Sequence, residues 1–300
     1  MTKRRVWLLA AICIAAGCAG FMKKKAALQP DQGMTSDIHK ENIGKIVFAS
    51  AEIEKGKEDA DGFKKSFQLG APIYARVYLA RSLYNEAIAT TGDGFDATGF
   101  ELRASIDGDE VNKHTGKMES EWTTYKFVIV RGADDTKPWD ESAWFAEKVL
   151  PKLTDPGAHQ VKLELWPKKS DKVYGTKPVA TGSFKLVAGD DVAKAVKKVQ
   201  KLDQNAGEAR GAAAKADHDQ HIAAGERWVN FSMNFCFHEQ PMFEWTAKNG
   251  ASGNASSGTA QWIPKGAKVE LCPDATHTNC HKYAVISDEE EQQVDYECPH

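Results

Sequence analysis

The stretch "PGAHQVKLELW", residues 156–166, repeats every second position: Val161, Leu163 and Leu165 fall on one side, Lys162 and Glu164 on the other. Successive side chains of a strand point to opposite faces, so the pattern predicts a β-strand with one buried and one solvated face. The same alternation recurs in both directions along the chain. "IYARVYL" (73–79) puts Ile73, Ala75, Val77 and Leu79 on one face, and "KIVFASAEI" (45–53), "FELRASI" (100–106), "TTYKFVIVR" (123–131) and "GSFKLVA" (182–188) fit further strands, with 63–69 as another. At least seven short strands bounded by Gly, Pro and Asp clusters predict an antiparallel β-sandwich across residues 44–187. "WDESAWFAEKVLPKL" (139–153) predicts a helical turn inside a long connection, because Ala143, Ala146 and Leu150 follow helix spacing.

The opening stretch, a turn and then "ATGSFKLVA" (180–188) resemble the last two strands of immunoglobulin-like and fibronectin-like bacterial domains. The resemblance implies a sandwich of a kind that mostly binds or spaces. Fold alone does not assign a function.

Residues 188–226 change character. Val192, Val196, Val199, Leu202, Ala206, Ala209, Ala213 and Ala216 step by three and four, which predicts a connecting helix. Its second half is weakened by Gly207 and Gly211, each by roughly 1 kcal/mol against alanine, so a break is expected near Gly207.

Residues 227–300 read as a small second β domain. "WVNFSMNFCFH" (228–238), "AKVELC" (267–272), "HKYAVI" (281–286) and "QVDYEC" (293–298) supply strands. All cysteines outside the N-terminal segment, Cys236, Cys272, Cys280 and Cys298, lie here, an even set that predicts two disulfides in an oxidising compartment. Four cysteines allow three pairings; Cys272 with Cys280 and Cys236 with Cys298 is the preferred one. About seventy residues bury a marginal core, which such cross-links reinforce. "GASGNASSGTAQWIPKGAKVEL" (250–271) followed by "HKYAVI" resembles bacterial Src-homology-3-like modules, with a Gly/Ser loop and a Lys-Gly turn before a strand. That resemblance implies a cell-wall peptide as partner.

At the N-terminus, Lys3, Arg4 and Arg5 precede an unbroken apolar run from Val6 to Ala16, then Gly17-Cys18. A basic start, a short apolar stretch and small residues mark an export signal. Ala15-Ala16-Gly17-Cys18 resembles the lipobox of bacterial lipoproteins, which implies cleavage after residue 17 and a lipid on Cys18. Residues 18–43, polar and carrying Pro30 and Gly33, are then expected to be a lipidated N-terminus and flexible tether. The rival is an uncleaved anchor over Val6–Met22, about 25 Å long as a helix against a hydrocarbon core of about 30 Å. Either way the body is expected in the cell envelope, tethered to a membrane and facing the periplasm or exterior, with an envelope protein or cell-wall component as partner.

The net charge of −3, without a large basic region, argues against nucleic acid. No GxSxG elbow, HExxH helix, phosphate-cradling Gly-Lys loop or dinucleotide fingerprint occurs, so the expectation is a non-enzymatic protein without cofactor or metal, the alternative being an exported hydrolase that uses acidic loop residues. The residues weighed as metal ligands are Cys272, His277, Cys280 and His281, and separately His218 and His221 beside Asp217 and Asp219. The loops Glu58-Asp59-Asp61, Asp93-Asp96 and Asp107-Asp109-Glu110 lack EF-hand spacing and read as Asp-Gly turns. His159 is expected to cap a turn or pack on a neighbour.

Overall fold

The alternating stretch around Leu163 forms a strand of 13 residues in the computed structural model, which describes residues 26–135, 137, 139–233, 242–256, 258–272 and 280–296. Among these residues no helix is long and apolar enough to cross a membrane. The chain is mainly β and separates into two compact units, divided between Asp203 and Gln204.

In chain order the first unit contains α1 (Asp37–Glu41), β1 (Lys45–Ala49), β2 (Ser66–Gln68), β3 (Ile73–Tyr78), α2 (Leu83–Thr91), β4 (Gly99–Ile106), β5 (Asp109–Lys117), β6 (Thr124–Val130), α3 (Asp140–Trp144), β7 (Gly157–Lys169), β8 (Lys172–Val173) and β9 (Ala180–Ala188). The first half of α4 (Val192–Ala223) completes it. All nine strands join one hydrogen-bonded sheet in the order β5-β4-β7-β9-β1-β3-β6, with β2 beside β9 and β8 beside β7. Pairing is antiparallel except that β1 and β2 run parallel to β9.

The two layers expected of a sandwich are the two ends of this single sheet. Four strands separate β4 from β6, yet the Phe100 ring of β4 lies 5.7 Å from Phe127 and 5.9 Å from Tyr125 of β6. The sheet therefore folds over its own apolar face. Val161, Leu163 and Leu165 are fully buried there, each contributing about 1.5–3 kcal/mol. The expected helical turn is α3 with one π turn (Phe145–Val149) and a 3-10 turn (Leu150–Lys152) after it. It reaches the edge strand β5, where Trp144 Nε1 donates to Asn112 Oδ1 at 2.8 Å, and adds Phe145, Val149 and Leu150 to the core.

Two glycine-dependent features shape the sheet. Asp107 and Gly108, with φ of 53° and 101°, make the two-residue turn between β4 and β5, as primed hairpin turns require. At Gly182 in β9 a Cβ would stand 2.1 Å from the Ile46 carbonyl oxygen, so only glycine lets β1 approach this closely.

Residues 26–42 are not a free leash. Asn85 at the start of α2 accepts the Gln29 amide at 2.9 Å and donates to the Gln29 carbonyl and to Asp31 Oδ2. Thr123 Oγ1 donates to the Gly33 carbonyl, and fully buried His39 donates from Nε2 to the Leu79 carbonyl. The polar composition that suggested a tether instead satisfies backbone groups on the body's surface.

The predicted helix is α4, and it runs through Gly207 without a break. Its seam is buried at Val192, Val196, Val199 and Ala206 but exposed at Ala209, Ala213 and Ala216. Methyl-only positions lose little by facing water.

The second unit adds β10 (Glu226–Met233), β11 (Met242–Thr246), β12 (Ser252–Ala255), β13 (Thr259–Pro264), β14 (Lys268–Cys272), β15 (His281–Val285) and β16 (Glu291–Tyr296). These form a three-stranded sheet, β13-β10-β16, and a four-stranded sheet, β12-β11-β14-β15, over a core that includes Val229, Phe231, Phe243, Leu271 and Val294. The stretch expected as a Gly/Ser loop carries β12, because Gly253 opposite Trp245 leaves room for the indole to lie on the backbone. The Lys265-Gly266 turn does precede β14, with Gly266 at φ 75°.

Candidate functional site

A groove of about 320 Å³ opens in the first unit beside β6, lined by Gln32, Lys55, Arg76, Trp122, Thr124, Tyr125, Lys126 and Trp139. The turn before β6 is closed by the Trp122 amide donating to the Glu119 carbonyl, which brings Trp122 and Tyr125 together with ring centroids 5.6 Å apart. From the far side comes Trp139, its Nε1 donating to Asp135 Oδ2 at 2.9 Å. Three aromatic side chains thus converge on one space.

Three cations line the same groove. Lys126 Nζ sits 4.9 Å over the Trp139 ring and pairs with Glu52, a placement favoured by the negative face of the indole. Lys55 donates to Gln32 Oε1 at 3.3 Å. Arg76, on β3, is 5% exposed and spends Nε and Nη2 on the Ile53 carbonyl and Nη1 on Thr124 Oγ1. It has no ion-pair partner among the described residues, and burial pulls its guanidinium below its ordinary value. The Tyr78 hydroxyl and the Glu58 and Glu52 carboxylates oppose that shift, so its positive charge is partly offset by neighbouring groups.

Behind the aromatic wall, burial pushes the Tyr125 hydroxyl up to about 12 and the Glu141 carboxyl up to about 7, with Asp140 adding to both shifts. Among the described residues the lining holds no serine, cysteine, histidine or carboxylate. Flat aromatic faces with fixed cations are equipment for holding an anionic, ring-bearing ligand rather than for general acid-base chemistry. A larger cleft of about 610 Å³ includes Arg81, Glu86 and Tyr174. There Arg81 pairs with Glu86 at 3.2 Å and Tyr174 donates to the Leu83 carbonyl, so the charged pair is already mutually satisfied.

The residues singled out by sequence fall elsewhere. Cys272 and Cys280 are joined in a disulfide, 8 residues apart, near the Glu244 carboxylate. Their sulfurs are thereby unavailable as thiolate ligands. Cys18, Cys236, His277 and Cys298 lie outside the described residues. His218 and His221 do share a face of α4, but both pack on Trp262; His221 is stacked at 4.5 Å and bonded to Glu226. His159 caps a turn, with Nδ1 on Asp107 Oδ2 at 2.7 Å and Nε2 on the Asp155 carbonyl at 2.9 Å. The acidic loops are turns whose carboxylates accept local amides, Asp59 from Asp61 and Asp93 from Phe95.

Sequence reasoning missed the groove. Its signal was thin: Trp122, Tyr125, Lys126 and Trp139 lie in or near one strand, and Arg76 is on the face of another opposite its apolar residues. Nothing in that spacing shows that the strands adjoin.

No family model matches the chain, and no curated protein matches it. Among solved structures it is similar to the major pilin protein (T-13) from Streptococcus pyogenes serotype GAS131465, at 8% identity over 67% of this chain and 90% of that chain, with a TM-score of 0.12. A TM-score that low carries no argument. The fold and groove by themselves define a mainly-β chain of two units with an aromatic, cationic groove on the first.

Proposed function

We propose that this chain is a non-enzymatic envelope lipoprotein, tethered through Cys18, that uses the groove beside β6 to hold an anionic ring-bearing ligand such as an acidic sugar. The carrying observation is that Trp122, Tyr125 and Trp139 line one groove together with the cations Lys55, Arg76 and Lys126. Aromatic faces accept the apolar side of a ring, and the cations select carboxylate over neutral substituents. Among the described residues the groove lining offers no serine, cysteine, histidine or carboxylate, which supports a binding role over hydrolysis.

Intrinsic tryptophan fluorescence titrated with oligogalacturonate, against neutral maltohexaose, tests the ligand class. The acidic sugar is expected to bind at least tenfold more tightly, about 1.4 kcal/mol; Lys126→Met is expected to narrow that difference, and Trp122→Ala to weaken both sugars. Equal or absent binding of the two sugars sinks it. For the tether, Cys18→Ser is expected to release the protein from membranes and block acylation; unchanged fractionation and acylation would end the lipoprotein reading.

A further inference from the structure

We infer that the end of the first unit bearing Phe95 rests on the bilayer that tethers the chain, an inference that depends on the tethered reading above. Phe95 is 79% exposed and Leu28 58% exposed, the two most exposed large apolar side chains among the described residues. Both belong to the place where the N-terminal segment meets the body. The Ala26 amide donates to the Gly92 carbonyl at 3.0 Å, three residues before Phe95, and the Gln29 amide is held by Asn85 just after Leu28.

The intervening chain is short. Lys23, Lys24 and Lys25 alone separate Ala26 from the apolar run ending at Met22, and the four residue steps from Met22 to Ala26 reach about 14 Å at most. Measured from a lipid on Cys18, eight residue steps cap the distance at about 28 Å. Either length limits how far the loop starting at Gly92, which is bonded to Ala26, can stand from the membrane.

The loop is built to present its side chain. Asp93 Oδ1 accepts the Phe95 amide at 2.9 Å, while Asp93 Oδ2 is held by Lys169 Nζ at 2.6 Å. Asp96, at φ 52°, pairs with Lys117, and its carbonyl accepts the Ser170 amide. That last bond sets the β7–β8 turn alongside, with Lys168 and Lys172, neither having an ion-pair partner among the described residues. Since Asp93 and Asp96 are matched by Lys169 and Lys117, the two further lysines outweigh Asp171 of the same turn, before Lys23 to Lys25 are added. An exposed phenyl ring on a loop beside a turn with a small lysine surplus suits an anionic lipid surface: the ring enters the acyl boundary while ammonium groups meet headgroups.

The test uses the full chain carrying Phe95→Trp, reconstituted in phosphatidylcholine–phosphatidylglycerol vesicles with and without brominated acyl chains. Flotation reports the tether; the emission gained over wild type reports residue 95. The expected result is a chain that floats and an added emission at least halved by bromine. Because Phe95 points outward, the substitution leaves the core untouched, and Leu28→Trp repeats the reading from the other strand of chain. A floating protein whose added emission is indifferent to bromine in both variants overturns the inference and leaves the tether standing. A chain that does not float overturns both.

Discussion

Arg131, just after β6, and Asp203, on α4, form a buried ion pair with Nε 2.5 Å from Oδ1 and side chains 2% and 6% exposed. Ser142 of α3 donates to the same Oδ1 at 2.6 Å and accepts from Arg131 Nη2 at 3.0 Å. One polar knot ties strand, turn and helix, and marks where the buried seam of α4 is held. Asp203→Ala leaves the guanidinium buried without its carboxylate, which costs about 3–5 kcal/mol. Urea unfolding of the first unit is expected to shift accordingly. The double replacement Arg131→Met with Asp203→Leu should recover much of the loss; failure to do so would mean that the knot contributes more than charge compensation.

Asn85 closes the N-terminal segment onto the body through three hydrogen bonds to Gln29 and Asp31. Asn85→Ala leaves two backbone groups of Gln29 without that partner, a loss of about 1–3 kcal/mol confined to this segment. Amide exchange at Gln29 is expected to accelerate while the core amides of β7 stay protected. Equal acceleration in both places contradicts a local latch.

Glu141 gives the first unit a pH dependence of definite sign. Its folded carboxyl is raised to about 7 by burial and by Asp140, whereas the unfolded group titrates near the ordinary glutamate value. The folded state therefore binds the extra proton between those values, and stability falls as pH rises through that window, by up to about 1.4 kcal/mol per pH unit. Below the unfolded value the contribution is fully present. Glu141→Gln is expected to flatten the slope between about pH 4.5 and 7; thermal melts across that range read it directly.

Gly182 tests how closely β1 and β9 must approach. Gly182→Ala drives a methyl group into the Ile46 carbonyl and is expected to cost at least about 1–3 kcal/mol. Gly189→Ala, where nothing lies within 4 Å and φ is unrestricted, serves as comparison and should be close to neutral. Similar melting temperatures for the two variants would refute the tight approach.

Much of the strand content was legible because burial on one face writes itself into alternation. β1, β3, β4, β6, β7 and β9 all fall within stretches picked out that way. β5 escaped, since as an edge strand it alternates polar residues with polar ones, and α2 escaped because its start depends on Ser82 capping Asn85 rather than on an apolar stripe. β11 and β12 were hidden by Gly253, which looks like a loop residue until Trp245 is seen lying over it.

Local periodicity by itself determined that this protein is mainly β and where its connecting helix lies. Each of those rests on neighbours within a few residues. Only the tertiary structure decided that the strands form one folded-over sheet, that residues 26–42 dock, and that Arg76 lines one groove with Trp122, Tyr125 and Trp139. Contacts between residues about fifty positions apart depend on strand order and register, and a single sequence carries no local mark of either.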